Sequence, residues 1–205
     1  MTKCTWKLDG TVLTIGGEGP MENYDRSEAD TPWGTSITEI IIEDGVTSIG
    51  ACAFWDCVDL TSVTIGNGVT HIGNWAFSGC ESLMGITIPN NVTSIGDWAF
   101  SLCDNLTSAI IGDGVTSIGN NAFASCVNLM NITIGNNTTN IGSGAFWRCE
   151  SLDSIIIPDS VRSIGSMAFS FCPSLTSIKI SKELRKKCRD AFLDCHSSHP
   201  EALGL

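Results

Sequence analysis

Apolar residues recur at one fixed spacing along most of this chain, from about residue 46 onward. Phenylalanine and cysteine mark the spacing most clearly, because each returns every 23 residues. The phenylalanines are Phe54, Phe77, Phe100, Phe123, Phe146, Phe169 and Phe192, and the cysteines are Cys57, Cys80, Cys103, Cys126, Cys149, Cys172 and Cys195. A period of this length is the signature of a repeat architecture, in which each copy is one structural unit.

Each copy reads Val-x-x-Ile-Gly-x-x-Ala-Phe-x-x-Cys-x-x-Leu-x-x-Ile-x-Ile and ends in a turn. The last two apolar positions, such as Ile86 and Ile88, are two residues apart, which places both on one face of a short strand. The Ala-Phe-x-x-Cys part has helical spacing but is short, so we predict a single helical or 3₁₀ turn on the opposite side of the unit.

A single copy buries too little apolar surface to offset the entropy of ordering its backbone. The copies must therefore stack, and strands that recur in the same direction pair in parallel. The pattern predicts a parallel β-solenoid.

The two ends of the chain depart from the repeat. Residues 4–15 predict a β-hairpin with Asp9-Gly10 as its two-residue turn. Its apolar face is expected to comprise Trp6, Leu8, Leu13 and Ile15.

At the other end, Ser181 is a predicted helix N-cap. Apolar residues then fall at helical spacing through residues 182–195: Leu184, Cys188, Ala191, Phe192 and Cys195. We expect a helix there that closes the stack, and a loose tail over residues 196–205.

The repeat resembles the cysteine-bearing, 23-residue leucine-rich repeat type known as BspA-like or Treponema-type, over residues 46 to about 181. The Trp-x-Leu-x-Gly-Thr, Gly-x-Gly-Pro-Met and Pro-Trp elements before Trp33 are similar to the module that often opens such domains. The resemblance implies a right-handed α/β leucine-rich repeat solenoid with its parallel β-sheet on the concave side and short helical or 3₁₀ turns on the convex side. It also implies one domain over residues 1–205: an N-terminal hairpin cap at 1–37, repeats at 38–181, and a C-terminal helix cap and tail at 182–205.

The charge balance bears on the partners. The net charge is −11, and six of the eleven basic residues lie between Lys179 and Arg189. The remaining surface is strongly acidic and repels phosphate backbones, so we expect no nucleic-acid partner. No apolar run is long enough for a membrane span, and the start is not a signal peptide. An extracellular or cell-surface location is therefore expected from the resemblance alone.

The ten cysteines allow two readings. An exported protein often pairs its cysteines in disulfides. The seven that follow the repeat should instead form an inward ladder of buried thiols, because their Cβ vectors run parallel. Whether Cys4, Cys52 and Cys188, which lie outside that ladder, form disulfides is left open.

No catalytic constellation stands out. The chain has three histidines, His71, His196 and His199. Together with Cys188 and Cys195, the last two could be imagined as zinc ligands, but their spacing fits no common zinc pattern. We therefore expect no metal site, no cofactor and no enzymatic activity.

The remaining candidates for function are surfaces. The residue between the strand isoleucines should point outward from the concave sheet. This row is Ile41, Thr64, Thr87, Ile110, Thr133, Ile156 and Lys179. A second row lies two residues earlier: Glu39, Ser62, Gly85, Ser108, Asn131, Ser154 and Ser177. Small β-forming residues also suit a sheet that binds nothing.

An alternative surface is an aromatic strip at Trp75 and Trp98, which share one repeat position; Trp55 and Trp147 share another. These rings could instead simply cover the core. The sequence thus favours a non-catalytic protein-binding or adhesion module whose partner is a protein, including a host surface or matrix protein, or a glycan. The alternative is a structural spacer with no ligand of its own.

Overall fold

The computed structural model describes residues 3–26, 31–193 and 195. Its strands are β1 (Cys4–Asp9), β2 (Val12–Gly17), β3 (Gly19–Pro20), β4 (Glu39–Ile42), β5 (Val46–Ile49), β6 (Ser62–Ile65), β7 (His71–Ile72), β8 (Gly85–Ile88), β9 (Ser94–Ile95), β10 (Ser108–Ile111), β11 (Ser117–Ile118), β12 (Asn131–Thr133), β13 (Asn140–Ile141), β14 (Ser154–Ile156), β15 (Ser163–Ile164) and β16 (Ser177–Lys179). An α-helix, α1 (Lys182–Lys187), and a 3₁₀ helix (Arg189–Phe192) follow. The chain is a parallel β-solenoid of about seven turns with little helix, as the repeat predicted.

The strands form two parallel arrays, one on each of two sides of the solenoid. We call β4, β6, β8, β10, β12, β14 and β16 the long-strand array, and β3, β5, β7, β9, β11, β13 and β15 the short-strand array. Within the repeats every pairing joins residues 23 positions apart, as in Ile86, Ala109 and Ile132. Each 23-residue copy is therefore one rung, and like residues lie over like.

The phenylalanines form a continuous column through the core. Consecutive rings from Phe54 to Phe192 have centroids 5.1–5.6 Å apart and lie within 27° of parallel. The rings from Phe54 to Phe169 are completely buried. The column confirms that the copies stack in register.

The Ala-Phe-x-x-Cys segments are hydrogen-bonded turns and not continuous helices. In the first copy, the N–H groups of Cys52, Phe54 and Asp56 donate to carbonyl groups of the next rung at 2.8–2.9 Å. Cys52 and Asp56 reach this geometry with left-handed φ angles of 53° and 58°. These bonds between rungs alternate with bonds inside the segment, as from the N–H of Trp55 to the carbonyl of Cys52 at 3.3 Å.

Two prolines divide the long-strand array into three sheets. The breaks lie between β6 and β8 and between β12 and β14, and the later strand of each pair runs into Pro89 or Pro158. In three other copies this position is glycine (Gly66, Gly112 and Gly135), and the N–H of Gly112 donates to the carbonyl of Ile88 at 3.0 Å. Proline has no N–H to donate. A Cβ at Gly112 would also lie 2.7 Å from that carbonyl oxygen, so a proline ring forces the rungs apart.

The N-terminal hairpin forms as predicted, but its two arms differ in burial. Trp6 lies opposite Ile15, and Leu8 lies opposite Leu13. Leu13 and Ile15 are buried because β2 pairs with β4 and covers the first rung, whereas Trp6 and Leu8 on the edge strand β1 stay exposed. The expected apolar face is therefore buried on one arm only.

The C-terminal helix begins where the sequence predicted and ends earlier. The hydroxyl of Ser181 accepts a hydrogen bond from the N–H of Leu184 at 3.3 Å. Helix α1 ends at Lys187 because Cys188 leaves helical geometry, at φ −123° and ψ 38°. The five apolar residues of the segment are nevertheless buried, and Phe192 ends the ring column. The predicted tail lies outside the described residues.

The repeated cysteines form the predicted ladder of buried thiols. From Cys80 to Cys172, each thiol donates to the carbonyl oxygen of the phenylalanine one rung earlier, at 3.1–3.3 Å. Cys195 makes the same bond to Phe169. Cys4, Cys52 and Cys188, whose pairing the sequence left open, are free thiols in this structure and form no disulfides.

Candidate functional site

The predicted binding row lies on the outer face of the long-strand array. Its members are paired in register across each sheet, as Thr87, Ile110 and Thr133 are on β8, β10 and β12. Six of the seven residues are exposed and Ile41 is half-buried, while their neighbours on the strands, such as Ile111, point into the core. The structure therefore brings the whole row together on one surface.

The row contains two large apolar side chains that solvent reaches freely. Ile110 is 52% exposed and Ile156 is 62% exposed. The second predicted row, from Glu39 to Ser177, flanks them with small and polar side chains that are exposed or half-buried. The floor around the two isoleucines is therefore shallow and hydrogen-bonding.

Two further exposed apolar side chains lie next to strands of this array and were missed by the sequence reasoning. Met84 and Met130 are 63% and 47% exposed and immediately precede β8 and β12. The available signal was the repeat position itself, where most other copies carry threonine or aspartate. Four successive rungs thus each expose one large apolar residue on a strand of the long-strand array or directly before one: Met84, Ile110, Met130 and Ile156. We call these four residues the apolar ridge.

The two proline breaks open shallow grooves in the same face. One groove, of about 610 Å³, lies at the β6–β8 break and includes Thr64, Thr87 and Ile110. The other, of about 350 Å³, lies at the β12–β14 break and includes Thr133 and Ile156. The predicted row and the grooves therefore coincide.

The alternative aromatic strip is a stacked pair that is half-buried. The rings of Trp75 and Trp98 are 4.8 Å apart at 6°. The guanidinium carbon of Arg26 lies 4.4 Å from the centre of the Trp75 ring, which is a cation–π contact. The Trp75 ring of this strip thus already contacts a cationic side chain of the same chain.

The other two aromatic candidates, Trp55 and Trp147, are also half-buried. Trp147 meets Phe171 edge to face at 6.0 Å. Beside Trp147 and Phe171, the side chains of Arg148 and Glu150 form an exposed ion pair at 2.9 Å. This cluster lies on the turn segments, away from the long-strand array.

The candidate metal ligands do not converge within the described residues. The thiol of Cys188 donates to the carbonyl of Leu184, and that of Cys195 donates to Phe169. His196 and His199 lie outside the described residues. His71 is exposed on β7, with Nδ1 2.8 Å from the hydroxyl of Thr70. In the part of the chain that the structure describes, no group of three or more histidine, cysteine or acidic residues could hold a metal ion.

The ladder thiols have low reactivity. Burial raises the pKa of Cys57 and of Cys172 to about 12. The pKa values of Cys80, Cys103 and Cys149 are also raised well above the ordinary value, chiefly by burial. Because the thiolate is the nucleophile and the metal ligand, these cysteines serve packing rather than chemistry.

Within the described residues, no helix has the length and apolar content to cross a bilayer.

Known proteins share this architecture. A leucine-rich cell surface protein from Faecalibacterium prausnitzii is 29% identical over 87% of this chain and 54% of that chain, with a TM-score of 0.69. A leucine-rich repeat protein from Bacteroides ovatus is 26% identical over 90% of this chain and 53% of that chain, with a TM-score of 0.70. The chain thus spans about half the length of these two relatives.

The leucine-rich repeat protein of Treponema pallidum is 23% identical over 92% of both chains, with a TM-score of 0.67, and shows the likeness of fold. No match was found among curated protein sequences. The family model for BspA-type leucine-rich repeat regions matches residues 33–152 and 102–200, in six copies. Because these matches span most of the sequence, the chain belongs to the BspA-type leucine-rich repeat family.

Proposed function

We propose that this chain is a non-catalytic protein-binding module of a surface-exposed or secreted bacterial protein. The observation that carries the proposal is the apolar ridge, in which Met84, Ile110, Met130 and Ile156 are exposed on consecutive rungs. Rungs are about 4.8 Å apart, so the ridge extends over about 14 Å. Clustered exposed apolar residues with polar surroundings mark interaction sites.

The chemistry of the ridge favours a protein as the partner. Unbranched methionines adapt their shape and are frequent at binding surfaces. The serine and threonine floor supplies hydrogen bonds around them, so the surface combines an apolar centre with a polar rim. A glycan would need aromatic platforms here, and the tryptophans lie elsewhere in the rung.

The proposal also includes the expectations from the sequence about curvature, capping and location. The long-strand array lines the concave side of a right-handed solenoid, and the hairpin and helix α1 cap the two ends of a single domain. A surface location is supported by the relative described as a cell surface protein. The repeat family supplies an architecture whose extended concave surfaces bind proteins.

The test compares surface variants for binding to immobilised host matrix proteins and to a glycan array. Ile110→Glu and Ile156→Glu place a charge on the apolar ridge. Leu102→Glu is the matched control, because Leu102 is 51% exposed and lies on a turn segment instead of a strand. We expect the unchanged chain to bind at least one matrix protein, the ridge variants to lose at least tenfold in affinity, and the control to keep it.

Other outcomes oppose the proposal in distinct ways. Equal binding by the ridge variants would exclude this face as the site. Binding to glycans alone would exclude the protein partner. If the unchanged chain binds neither class, the structural-spacer alternative is favoured.

A further inference from the structure

A second surface lies at the N-terminal end of the solenoid, separate from the apolar ridge. It is a cavity of about 280 Å³ between the hairpin and the first rung. Its described lining includes three aromatic rings, Trp6, Tyr24 and Trp33, together with Met21. Charged side chains, Lys3 and Glu22, also line it. The volume is slightly below that of drug-sized pockets, roughly 300–1,000 Å³, so a ligand of few heavy atoms would suit it.

The three rings form a box. Trp6 and Tyr24 both stand nearly perpendicular to Trp33, at 73° and 72°, with centroids 6.2 and 5.4 Å from it. Trp33 ends the core column, because its ring lies 5.7 Å from that of Phe54. Trp6 and Tyr24 are thus each edge-to-face with Trp33, and all three residues line the cavity.

The walls of this box are held in place by the first rung. The indole Nε1 of Trp33 donates to the carbonyl of Ala53 at 3.2 Å. The backbone N–H groups of Met21 and Tyr24 donate to Ser48 and Ala51 at 3.0 and 2.8 Å. A pre-formed pocket loses little entropy when a ligand enters, which favours binding.

One carboxylate, that of Glu22, lines the same cavity. Tyr24 and Cys4 line it as well, and beyond the effect of burial, the charge of Glu22 raises the pKa of both groups. Lys3 pairs with Glu22 at 3.2 Å in an exposed ion pair. Such an exposed pair is weak, because solvent and salt screen it.

We infer that this aromatic box binds a small quaternary ammonium cation, with Trp6, Tyr24 and Trp33 around the methyl groups and Glu22 at the rim. Ring faces attract cations through their quadrupole, and methylated ammonium groups combine the charge with an apolar surface. Glu22 and the net charge of −11 oppose a phosphate next to the ammonium. The preferred ligand is therefore choline-like and carries no phosphate.

Three probes test the chemistry on the full chain by isothermal titration calorimetry and saturation-transfer NMR. Choline is compared with 3,3-dimethyl-1-butanol, which has the same shape without the charge, and with phosphocholine. We expect choline to bind at least about tenfold more tightly than the neutral alcohol, which corresponds to about 1.4 kcal/mol. Phosphocholine should bind more weakly than choline. Equal binding of the alcohol, or no binding of choline, overturns the inference.

Variants then assign the site. Trp6→Leu should abolish most of the choline binding, and Trp6→Phe should retain it, because the ring is what the cation contacts. Leu8→Ala is the matched control, since Leu8 is exposed on the same strand and does not line the cavity. Unchanged binding by Trp6→Leu excludes this box.

The Lys3→Met variant tests whether the charges at the rim act on the ligand directly, because a purely structural effect would not tighten choline binding. Removing the competing ammonium should tighten choline binding severalfold, whereas Glu22→Gln should weaken it. Because both residues are exposed, these variants should stay folded even if Trp6→Leu does not. If neither substitution changes the affinity, Glu22 is not part of the site and the inference fails.

Discussion

The thiol of Cys103 donates a hydrogen bond to the carbonyl oxygen of Phe77, one rung earlier, at 3.3 Å between sulfur and oxygen. The same oxygen accepts the backbone N–H of Cys80, also at 3.3 Å. A completely buried side chain thus joins two consecutive rungs directly. This relationship explains why a small residue with a weak donor recurs once per copy.

Replacing Cys103 by alanine should lower the free energy of unfolding by about 1–2 kcal/mol. The substitution leaves a small cavity in the core and removes one hydrogen bond between rungs. Urea unfolding followed by circular dichroism measures the change. Cys4→Ala is the control and should cost clearly less, because Cys4 is only half-buried. Equal losses in the two variants would contradict this prediction.

Alkaline pH should destabilise the fold through the same thiols. Burial raises the pKa of Cys57 and Cys172 from 9.0 to about 12, so the unfolded chain releases these protons at lower pH than the folded chain. The stability that they contribute is present below about pH 9 and is lost as the pH rises toward about 12. Urea midpoints measured from pH 8 upward should therefore fall.

The contribution of the thiols to this pH dependence can be isolated. A Cys172→Ala variant removes one titrating group, so its stability should fall less steeply with pH than that of the unchanged chain. Identical slopes would assign the alkaline effect to other residues.

The repeat period predicted the stacking, since the residues that form the core column are those that recur most strictly. One core position departs from the repeat, because Thr138 stands where the neighbouring copies have valine. The structure shows how this is tolerated: the buried hydroxyl donates to the carbonyl of Val115 at 2.9 Å. Core positions were predictable because each has one environment, repeated many times.

The short-strand array and the turn segments were not predictable from the repeat in the same way. The two-residue strands of the short-strand array are too short to give a periodic signal, and their pairing exists only once the rungs are stacked. The residues with left-handed φ angles could not be recognised in the sequence either. Bulky side chains such as Trp98 and Leu102 occupy positions where glycine would be expected. Bonds between rungs fix this backbone, and a single copy read alone does not reveal them.

Leu102→Gly should raise the free energy of unfolding by about 1 kcal/mol. Leu102 has a φ of 59°, a region that disfavours side chains with a Cβ and that glycine adopts freely. Gly79 already occupies the same repeat position. Thermal and urea unfolding measure the gain.

The matched control for this change is Leu193→Gly. Leu193 is similarly exposed at 49%, but its φ is −62°, so glycine there only increases the entropy of the unfolded chain. We expect the control to lose stability. A loss in both variants would show that left-handed strain at residue 102 is negligible.

Pro89→Gly should join the first two sheets of the long-strand array. Glycine supplies an N–H that can donate to the carbonyl of Ile65, as Gly112 does to Ile88 at 3.0 Å. It also removes the ring that keeps the rungs apart. The new bond contributes about 1 kcal/mol and offsets the added flexibility of glycine in the unfolded chain. The net stability should therefore stay within about 0.5 kcal/mol.

Hydrogen exchange provides the decisive measurement for this variant. The new amide at position 89 should be protected, and the amide of Met84 at the start of the break should exchange more slowly than in the unchanged chain. Pro173→Gly is the control, because Pro173 is exposed on a turn segment and should only lose stability. If the amide at position 89 exchanges freely, the proline is not what divides the array, and the groove that includes Thr87 and Ile110 has another origin.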